Sequence, residues 1–275
     1  MSGTRHFTVA ELNPYSKLSE QPKPFQASQE HASILRALED AGVDVIKVAE
    51  PEGCQDGVYT ANWALCRGDV AILSSLPKQR QPEEAYAEKV LEKLGKKVIK
   101  APHRFSGQGD ALPCGNLLFC GSTYRTDPEM HDFLADKLGY DVVGLQTVPA
   151  LDKDGKPVVN QLTGWPDSFF YDIDLALAVL SEDLIAYCPD AFTPDSQDKI
   201  RKLHIGKIEV TLQEAMNGFA CNLISTGSQV IMSANAPLLA SQIESYGFEV
   251  ITPEITELSK GGGYIRCTSL TLDNS

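Results

Sequence analysis

The chain has 275 residues, with 24 Lys and Arg against 37 Asp and Glu, so its formal net charge is −13. This acidic balance, without basic clusters, argues against nucleic acid and anionic membranes as partners, and no stretch approaches the ~18–20 apolar residues of a membrane span. The first residues lack the apolar core of a secretory signal. The seven cysteines include no CxxC pair, which is typical of reduced thiols in a cytoplasmic protein.

Five short amphipathic helices are predicted. Four of them open with a proline, which suits the first turn of a helix, and the first helix has Ser28 as its predicted N-cap. A glycine follows each helix and leads into a short β-branched run that predicts a strand. The helices are 28–41, 82–94, 128–138, 194–203 and 237–246, and the strands after them are 43–48, 96–100, 140–145, 207–212 and 248–253.

A predicted hairpin precedes each of the last four helices, and Gly, Asn or Asp stands at every turn. These hairpins are 62–74, 109–121, 174–188 and 219–233. The first helix lacks one, but the strand-like segments 7–12 and 267–272 stand at the two ends of the chain and would complete a fifth unit by pairing. We therefore predict an α/β fold, a five-bladed ring of strand–strand–helix–strand (ββαβ) units forming an α/β propeller. Residues 1–275 are expected to form a single domain.

A polar residue leads into each hairpin, and equivalent positions of a ring face the same axis. We therefore expect these residues to gather in one central cavity, where three acids and a thiol would attract a cation. The set consists of Asn62, Asp110, Asp172 with Asp174, Asn222 and Cys267.

Cys267 follows a glycine-rich segment, Lys260-Gly-Gly-Gly-Tyr-Ile-Arg-Cys267. Three glycines allow close approach of backbone to a ligand or positive φ angles. The neighbouring Arg266 is expected to lower the pKa of the thiol, which favours a nucleophilic role. The alternative interpretation is a buried core cysteine that follows a flexible turn.

Five motifs carry a family resemblance in this order: Asp56-Gly-Val-Tyr-Thr-Ala-Asn62, Phe105-Ser-Gly-Gln-Gly-Asp110, Tyr124-Arg-Thr-Asp127, Asp172-Ile-Asp174, and Gly261-Gly-Gly-Tyr-Ile-Arg-Cys267. Over residues 13–272 the chain resembles the guanidine-modifying (pentein) superfamily, which includes arginine deiminase, dimethylarginine dimethylaminohydrolase and the amidinotransferases. The resemblance implies a pentein-like ring of five ββαβ units, in agreement with the count above.

The resemblance also implies a mechanism and a set of site residues. A thiolate attacks the guanidinium carbon, an amine leaves, and water hydrolyses the covalent thiouronium. Carboxylates hold the planar cation through charge-assisted hydrogen bonds. By carry-over, Cys267 is the nucleophile, Asp174 and Asp110 are the acids of the site, Asn62 and Ser106 occupy substrate-binding positions, and Arg80, Arg125 and Arg266 are candidates for the substrate carboxylate.

The chain departs from the family pattern at two positions. Asp172 stands where the family has its general acid/base histidine, and Ser106 stands where it has a guanidinium-binding glutamate. Asp172 and Asp174 would share one face of a strand, and crowded acids raise one another's pKa. Asp172 is therefore expected to take the histidine's role, with His103 as the other candidate.

Several functions remain open at this point. The first is a hydrolase acting on a small cationic guanidino metabolite related to arginine. The others are an amidinotransferase, an inactive pentein that binds a cationic metabolite, and an interaction scaffold. No metal spacing, phosphate loop or dinucleotide motif is present, so no metal or cofactor is expected, and the sequence leaves the oligomeric state, including a homo-oligomer, undecided.

Overall fold

The computed structural model describes residues 1–274. Six helices are described: α1 (Pro24–Asp40), α2 (Gln81–Lys93), α3 (Met130–Leu138), α4 (Pro194–Lys202), α5 (Leu212–Gly218) and α6 (Pro237–Ser245). The twelve strands are β1 (Ala64–Arg67), β2 (Val70–Leu73), β3 (Lys97–Lys100), β4 (Ala111–Cys114), β5 (Leu117–Gly121), β6 (Asp141–Leu145), β7 (Leu177–Ser181), β8 (Leu184–Tyr187), β9 (Gly206–Glu209), β10 (Ile224–Ser225), β11 (Gln229–Ile231) and β12 (Glu249–Ile251).

The strands form four three-stranded sheets with one topology, in the orders β1-β2-β3, β4-β5-β6, β7-β8-β9 and β10-β11-β12. In each sheet the first two strands form an antiparallel hairpin and the third runs parallel to the second. A parallel pair requires a crossover, which α2, α3, α4 and α6 provide in turn. Three of the hairpin turns contain a glycine with positive φ, at Gly68, Gly115 and Gly227, a conformation that other residues adopt at a cost.

The inner edge of each sheet positions the functional residues. The first strands of successive sheets contact one another, β4 against β7 and β7 against β10. Short 3-10 turns precede three of the first strands, at 60–63, 107–109 and 173–175, and another lies at 266–268. The turn 60–63 packs against both 107–109 and 266–268, and 107–109 packs against 173–175. Residues that are far apart in the chain therefore meet at one centre.

The predicted fifth sheet is wrong. Residues 43–48 form no strand, and a single bridge joins Ser2 to Val48. Segments 7–12 and 267–272 do not pair, and in each of them the backbone of one residue is hydrogen-bonded to a glutamine side chain. Gln21 accepts from Val9 N at 3.0 Å and donates to Val9 O at 2.8 Å. Gln108 likewise accepts from Thr271 N at 2.9 Å and donates to Thr271 O at 2.8 Å.

Three other local predictions need correction. Helix α1 begins at Pro24, with Lys23 rather than Ser28 at the N-cap position. The strand predicted over 207–212 ends at Glu209, and α5 follows it. Sequence reasoning missed α5, although Thr211 caps it by accepting a hydrogen bond from Glu214 N at 3.2 Å. Across residues 1–274, every helix is too short or too polar to traverse a lipid bilayer.

Candidate active site

Polar side chains from several ββαβ units meet around the Cys267 thiol. Asn222 Nδ2 lies 3.2 Å from Cys267 Sγ, and Asp174 Oδ2 lies 3.4 Å from the same sulfur. A second contact joins Asn62 Nδ2 to Asp172 Oδ2 at 2.8 Å. All five side chains are buried. The structure thus brings together residues that are separated by up to 205 positions, from 62 to 267.

The glycine-rich loop before Cys267 has no room for side chains. Gly262 has a φ of +89°, and a Cβ on Gly263 would lie 2.5 Å from the Tyr59 ring. Glycine adopts the positive φ of position 262 at low cost, and at position 263 it leaves room for the ring. The loop leads into the 266–268 turn, where Cys267 N donates to Asn222 Oδ1 at 3.3 Å. Asn222 therefore contacts both the backbone and the sulfur of Cys267.

The surroundings of the Cys267 thiol favour its neutral form. Burial raises the pKa of Cys267 well above its usual value, and the neighbouring Asp174 raises it further. Arg266 and Cys267 are coupled electrostatically, so Arg266 favours the thiolate as predicted, but burial and Asp174 outweigh this effect and the pKa of Cys267 is raised overall. The Arg266 guanidinium donates to Ser269 O at 2.9 Å and to Gln108 Oε1 at 3.0 Å. A further positive charge close to the sulfur would favour the thiolate.

Three buried carboxyl groups surround the centre. Burial raises the pKa of Asp110, Asp172 and Asp174, and the charge of Asp172 raises the pKa of the other two further. Residues 173–175 form a 3-10 turn, so Asp172 and Asp174 do not share a strand face as predicted. Asp110 Oδ1 accepts from Ile173 N at 2.8 Å. One oxygen of each carboxyl group has no hydrogen-bond partner among the described residues.

The orientation of the Asn62 amide is set by Arg80. Arg80 Nη1 donates to Asn62 Oδ1 at 3.0 Å, so the Asn62 NH2 group faces the opposite way. That group donates to Asp172 Oδ2 and, at 2.9 Å, to Ser106 Oγ. Asp172 Oδ2 is thereby held, while its Oδ1 stays without a partner.

Arg80 was predicted to bind the substrate carboxylate, but acceptors of this chain already occupy most of its guanidinium. Its Nε and Nη2 donate to the Glu83 carboxylate at 2.9 and 2.7 Å. Nη2 also donates to Asp56 O at 3.3 Å. Together with the bond to Asn62, these contacts leave one of the five guanidinium N–H groups without an assigned acceptor. Arg80 therefore serves mainly to position its neighbours.

Arg125 is the arginine with free binding capacity. Its Nη2 donates to Leu12 O at 2.5 Å, but its buried Nε has no hydrogen-bond partner in residues 1–274. The guanidinium lies over the rings of Tyr171 and Trp165, with centroid distances of 5.0 and 5.7 Å. Both distances are within the range of cation–π contacts, and Arg125 lines the cavity described next.

These residues line a narrow cavity of about 30 Å³, which we call the front cavity. Asp110, Asp174 and Arg266, although predicted as site residues, do not line it. His103 is exposed and lies away from it, so His103 as the substitute acid/base is wrong. No histidine is among its described lining residues, which are Leu12, Asn13, Asp56, Tyr59, Asn62, Leu76, Pro77, Arg80, Ser106, Arg125, Tyr171, Asp172, Gly261, Gly263 and Cys267.

Sequence reasoning missed four residues around the front cavity. Three of them lie inside or next to the motifs of the family resemblance, but the sequence analysis gave them no role. These are Asp56, Tyr59 and Tyr171. Burial raises the pKa of Asp56 to about 6 despite the opposing effect of Arg80. Glu83 lies in a predicted amphipathic helix and received no role from the sequence; its side chain is almost fully buried against Arg80.

Comparisons with known proteins agree with this geometry. The model of the family "N,N dimethylarginine dimethylhydrolase, eukaryotic" matches residues 9–272. The N(G),N(G)-dimethylarginine dimethylaminohydrolase of Mycobacterium tuberculosis is 32% identical over 99% of this chain and 84% of its own length. The bifunctional arginine dihydrolase/ornithine cyclodeaminase AgrE of a Nostoc species is 31% identical over 84% of this chain, and the match spans 31% of that longer protein.

A solved structure shares the mixed α/β architecture with its small sheets. The N-terminal domain of ArgZ, a cyanobacterial arginine dihydrolase bound to its product, superposes with a TM-score of 0.87 at 27% identity. The superposition covers 99% of this chain and 96% of that one. The four-sheet arrangement described above is therefore that of a known fold.

Proposed function

The chain belongs to the dimethylarginine dimethylaminohydrolase family, and on this basis we propose that it is a cysteine-dependent guanidine hydrolase. Its substrate is a small cationic guanidino compound related to arginine. The observation that carries the proposal is the position of Cys267 Sγ, which lines the front cavity beside Asp172 and lies 3.4 Å from Asp174. We also propose that residues 1–275 form one five-bladed domain, in which α1 and the Ser2–Val48 bridge occupy the place of the fifth blade.

The free carboxyl oxygen of Asp172, which lines the front cavity, would hold the guanidinium. A planar cation with several N–H donors satisfies buried acceptors that lack partners. Its positive charge also lowers the pKa of nearby acids and thiols, because an opposite charge favours the ionised form. Substrate binding thereby supplies a further positive charge that favours the Cys267 thiolate.

The other end of the front cavity suits an amino acid. Arg125 offers unassigned N–H groups to a carboxylate, while Asp56 places a carboxyl group in the same lining. A substrate that carries an α-carboxylate and an α-ammonium group would satisfy both charges. We therefore expect arginine or an N-methylated arginine to react faster than agmatine, which lacks the carboxylate.

The first half of the reaction exchanges an amine for sulfur. Asp174 takes the thiol proton across the 3.4 Å contact, and the sulfur lone pair forms a bond to the guanidinium carbon. Asp172, whose pKa is raised by burial, gives its proton to the leaving nitrogen as the C–N bond breaks. A neutral amine and a cationic thiouronium on Cys267 result. Water then adds to that carbon, the C–S bond breaks, and a ureido product leaves.

Intact-protein mass spectrometry tests this proposal. The protein is incubated with arginine, methylated arginines, agmatine and guanidino acids, and ureido product is measured in the same samples. We expect an adduct and product with at least one compound, and loss of both in Cys267→Ser. Cys66→Ser, which changes a buried cysteine away from the site, is the matched control. Full turnover by Cys267→Ser would contradict the mechanism.

A second candidate function is a binding protein without turnover. The specific observation in its favour is a front cavity with no histidine among its described lining residues and a thiol whose pKa is raised. That function predicts thermal stabilisation by a guanidino compound with no adduct and no product. The affinity would then be nearly unchanged in Cys267→Ala, so the same ligand set distinguishes the two functions.

A further inference from the structure

A second cavity reaches the active centre from the opposite side. This rear cavity has a volume of about 280 Å³. No described residue lines both cavities. The polar lining residues of the rear cavity are Asp174, Cys221, Ser225, Arg266, Thr271, Asp273 and Asn274, and its apolar ones are Leu112, Pro113, Leu177, Ala178, Val179, Leu223 and Ile224.

The Asp174 carboxyl group lies between the rear cavity and the Cys267 sulfur. Asp174 lines the rear cavity, while its Oδ2 contacts Cys267 Sγ, which lines the front cavity. Asp174 is about 1% exposed, and its Oδ1 is buried without a hydrogen-bond partner among residues 1–274. Thr271 and Asp273 are exposed and stand at the rim, so the rear cavity connects to solvent.

The front cavity is the narrower of the two, at about 30 Å³. During the second half-reaction the remainder of the substrate is bonded to Cys267 and fills this space. Water must nevertheless reach the thiouronium carbon, and the released amine must leave. The rear cavity is about nine times larger and contains polar groups able to hold water.

We infer that the rear cavity is the route by which water enters and the small amine leaves, with Asp174 as the group that moves protons between the sulfur and this solvent. The inference rests on the proposed hydrolase function and assigns the second half of its reaction. The front cavity then binds only the guanidino substrate, and the two reactants arrive from opposite faces of the ring.

The proton balance of the second half-reaction follows from this placement. Asp174 first releases to rear-cavity water the proton it took from the thiol. It then accepts a proton from the hydrolytic water as the oxygen bonds to the thiouronium carbon. The C–S bond breaks with its electron pair returning to sulfur, and the second proton of that water restores Asp172. Transfer of the proton on Asp174 to the thiolate completes the cycle.

Filling the rear cavity tests the inference without altering a catalytic residue. Ser225→Trp places a bulky ring on its wall, and Thr271→Trp does so at the exposed rim, where folding tolerates the change. Ser228→Trp, exposed in the same hairpin as Ser225 and outside both cavities, is the matched control. Rapid quenching followed by intact-mass analysis measures the formation and decay of the adduct.

In the two filled variants we expect adduct formation within about twofold of wild type, adduct decay at least tenfold slower, and adduct accumulation at steady state. Ser228→Trp should match wild type. Equal decay in filled and control variants, with wild type forming adduct and product, would overturn the rear route alone. Absence of any adduct or product in wild type would overturn the proposed function and the rear route with it.

Discussion

Replacing Asp172 with asparagine separates proton transfer from the geometry of the front cavity. The side chain of Asn62 donates to Asp172 Oδ2 at 2.8 Å, and an asparagine oxygen accepts the same hydrogen bond. The new amide nitrogen then takes the place of the free Oδ1 and cannot exchange a proton with the leaving amine. General acid–base catalysis contributes about 10²–10⁴ in rate, so kcat should fall by at least about 100-fold, or roughly 3 kcal/mol in activation free energy.

The assay is ureido product formation at saturating substrate, together with thermal unfolding of the same sample. Because burial raises the pKa of Asp172, its charged form is destabilising, and Asp172→Asn should not lower the melting temperature at neutral pH. Asp167→Asn is the control, since Asp167 is another buried acid outside the front cavity. A kcat for Asp172→Asn within threefold of wild type would refute the role of Asp172.

Three further predictions use other groups of the centre. Arg125→Lys should raise KM by about 10-fold or more and leave kcat nearly unchanged, because a lysine cannot reproduce a bidentate carboxylate contact. The control is Arg104→Lys, outside the front cavity, which should change neither KM nor kcat. The pKa of Asp56 is about 6 in the folded state against 3.8 when unfolded, so the folded state holds the extra proton between these values. The free energy of unfolding therefore falls as the pH rises through this window. In Asp56→Asn, denaturant unfolding should show that this fall is smaller by up to about 3 kcal/mol. Alkylation of Cys267 by iodoacetamide should be slow at pH 7, faster at pH 9 and faster in Asp174→Asn, because Asp174 raises the thiol pKa; equal rates in Asp174→Asn and wild type would contradict this.

Glycines at turns and prolines at helix starts made much of the fold predictable. Gly68, Gly115 and Gly227 adopt the positive φ that their hairpin turns require, and prolines lie in the first turns of α2, α4 and α6. Such signals act through the residue's own backbone, so they survive any tertiary environment. The four complete sheets follow from them.

The absence of the fifth sheet was not visible in any local sequence pattern. Segments 7–12 and 267–272 have strand-like sequences, but Gln21 and Gln108 satisfy their backbone groups at Val9 and Thr271 with side-chain amides. Gln108 lies more than 160 residues from its partner. A glutamine in a loop gives no indication that it replaces a strand.

The sequence predicted which residues meet at the candidate site better than it predicted how their side chains are oriented. Repeat symmetry indicated that Asn62, Asp172, Asp174 and Cys267 would meet, and in the structure Asn62 contacts Asp172 while Cys267 contacts Asp174. Symmetry does not determine where a long side chain points. The Arg266 guanidinium, adjacent to Cys267 in the chain, is hydrogen-bonded to Gln108 and Ser269.

Peptide mapping of the trapped adduct is the most direct test of the central claim, that a guanidino carbon bonds to the sulfur at the meeting point of distant carboxyl groups. Wild-type protein is quenched in acid during turnover, digested and sequenced by tandem mass spectrometry. We predict the added mass on the peptide that contains Cys267, with the other six cysteines unmodified as internal controls. Added mass on another cysteine, or product formation with Cys267 never modified, would contradict the account.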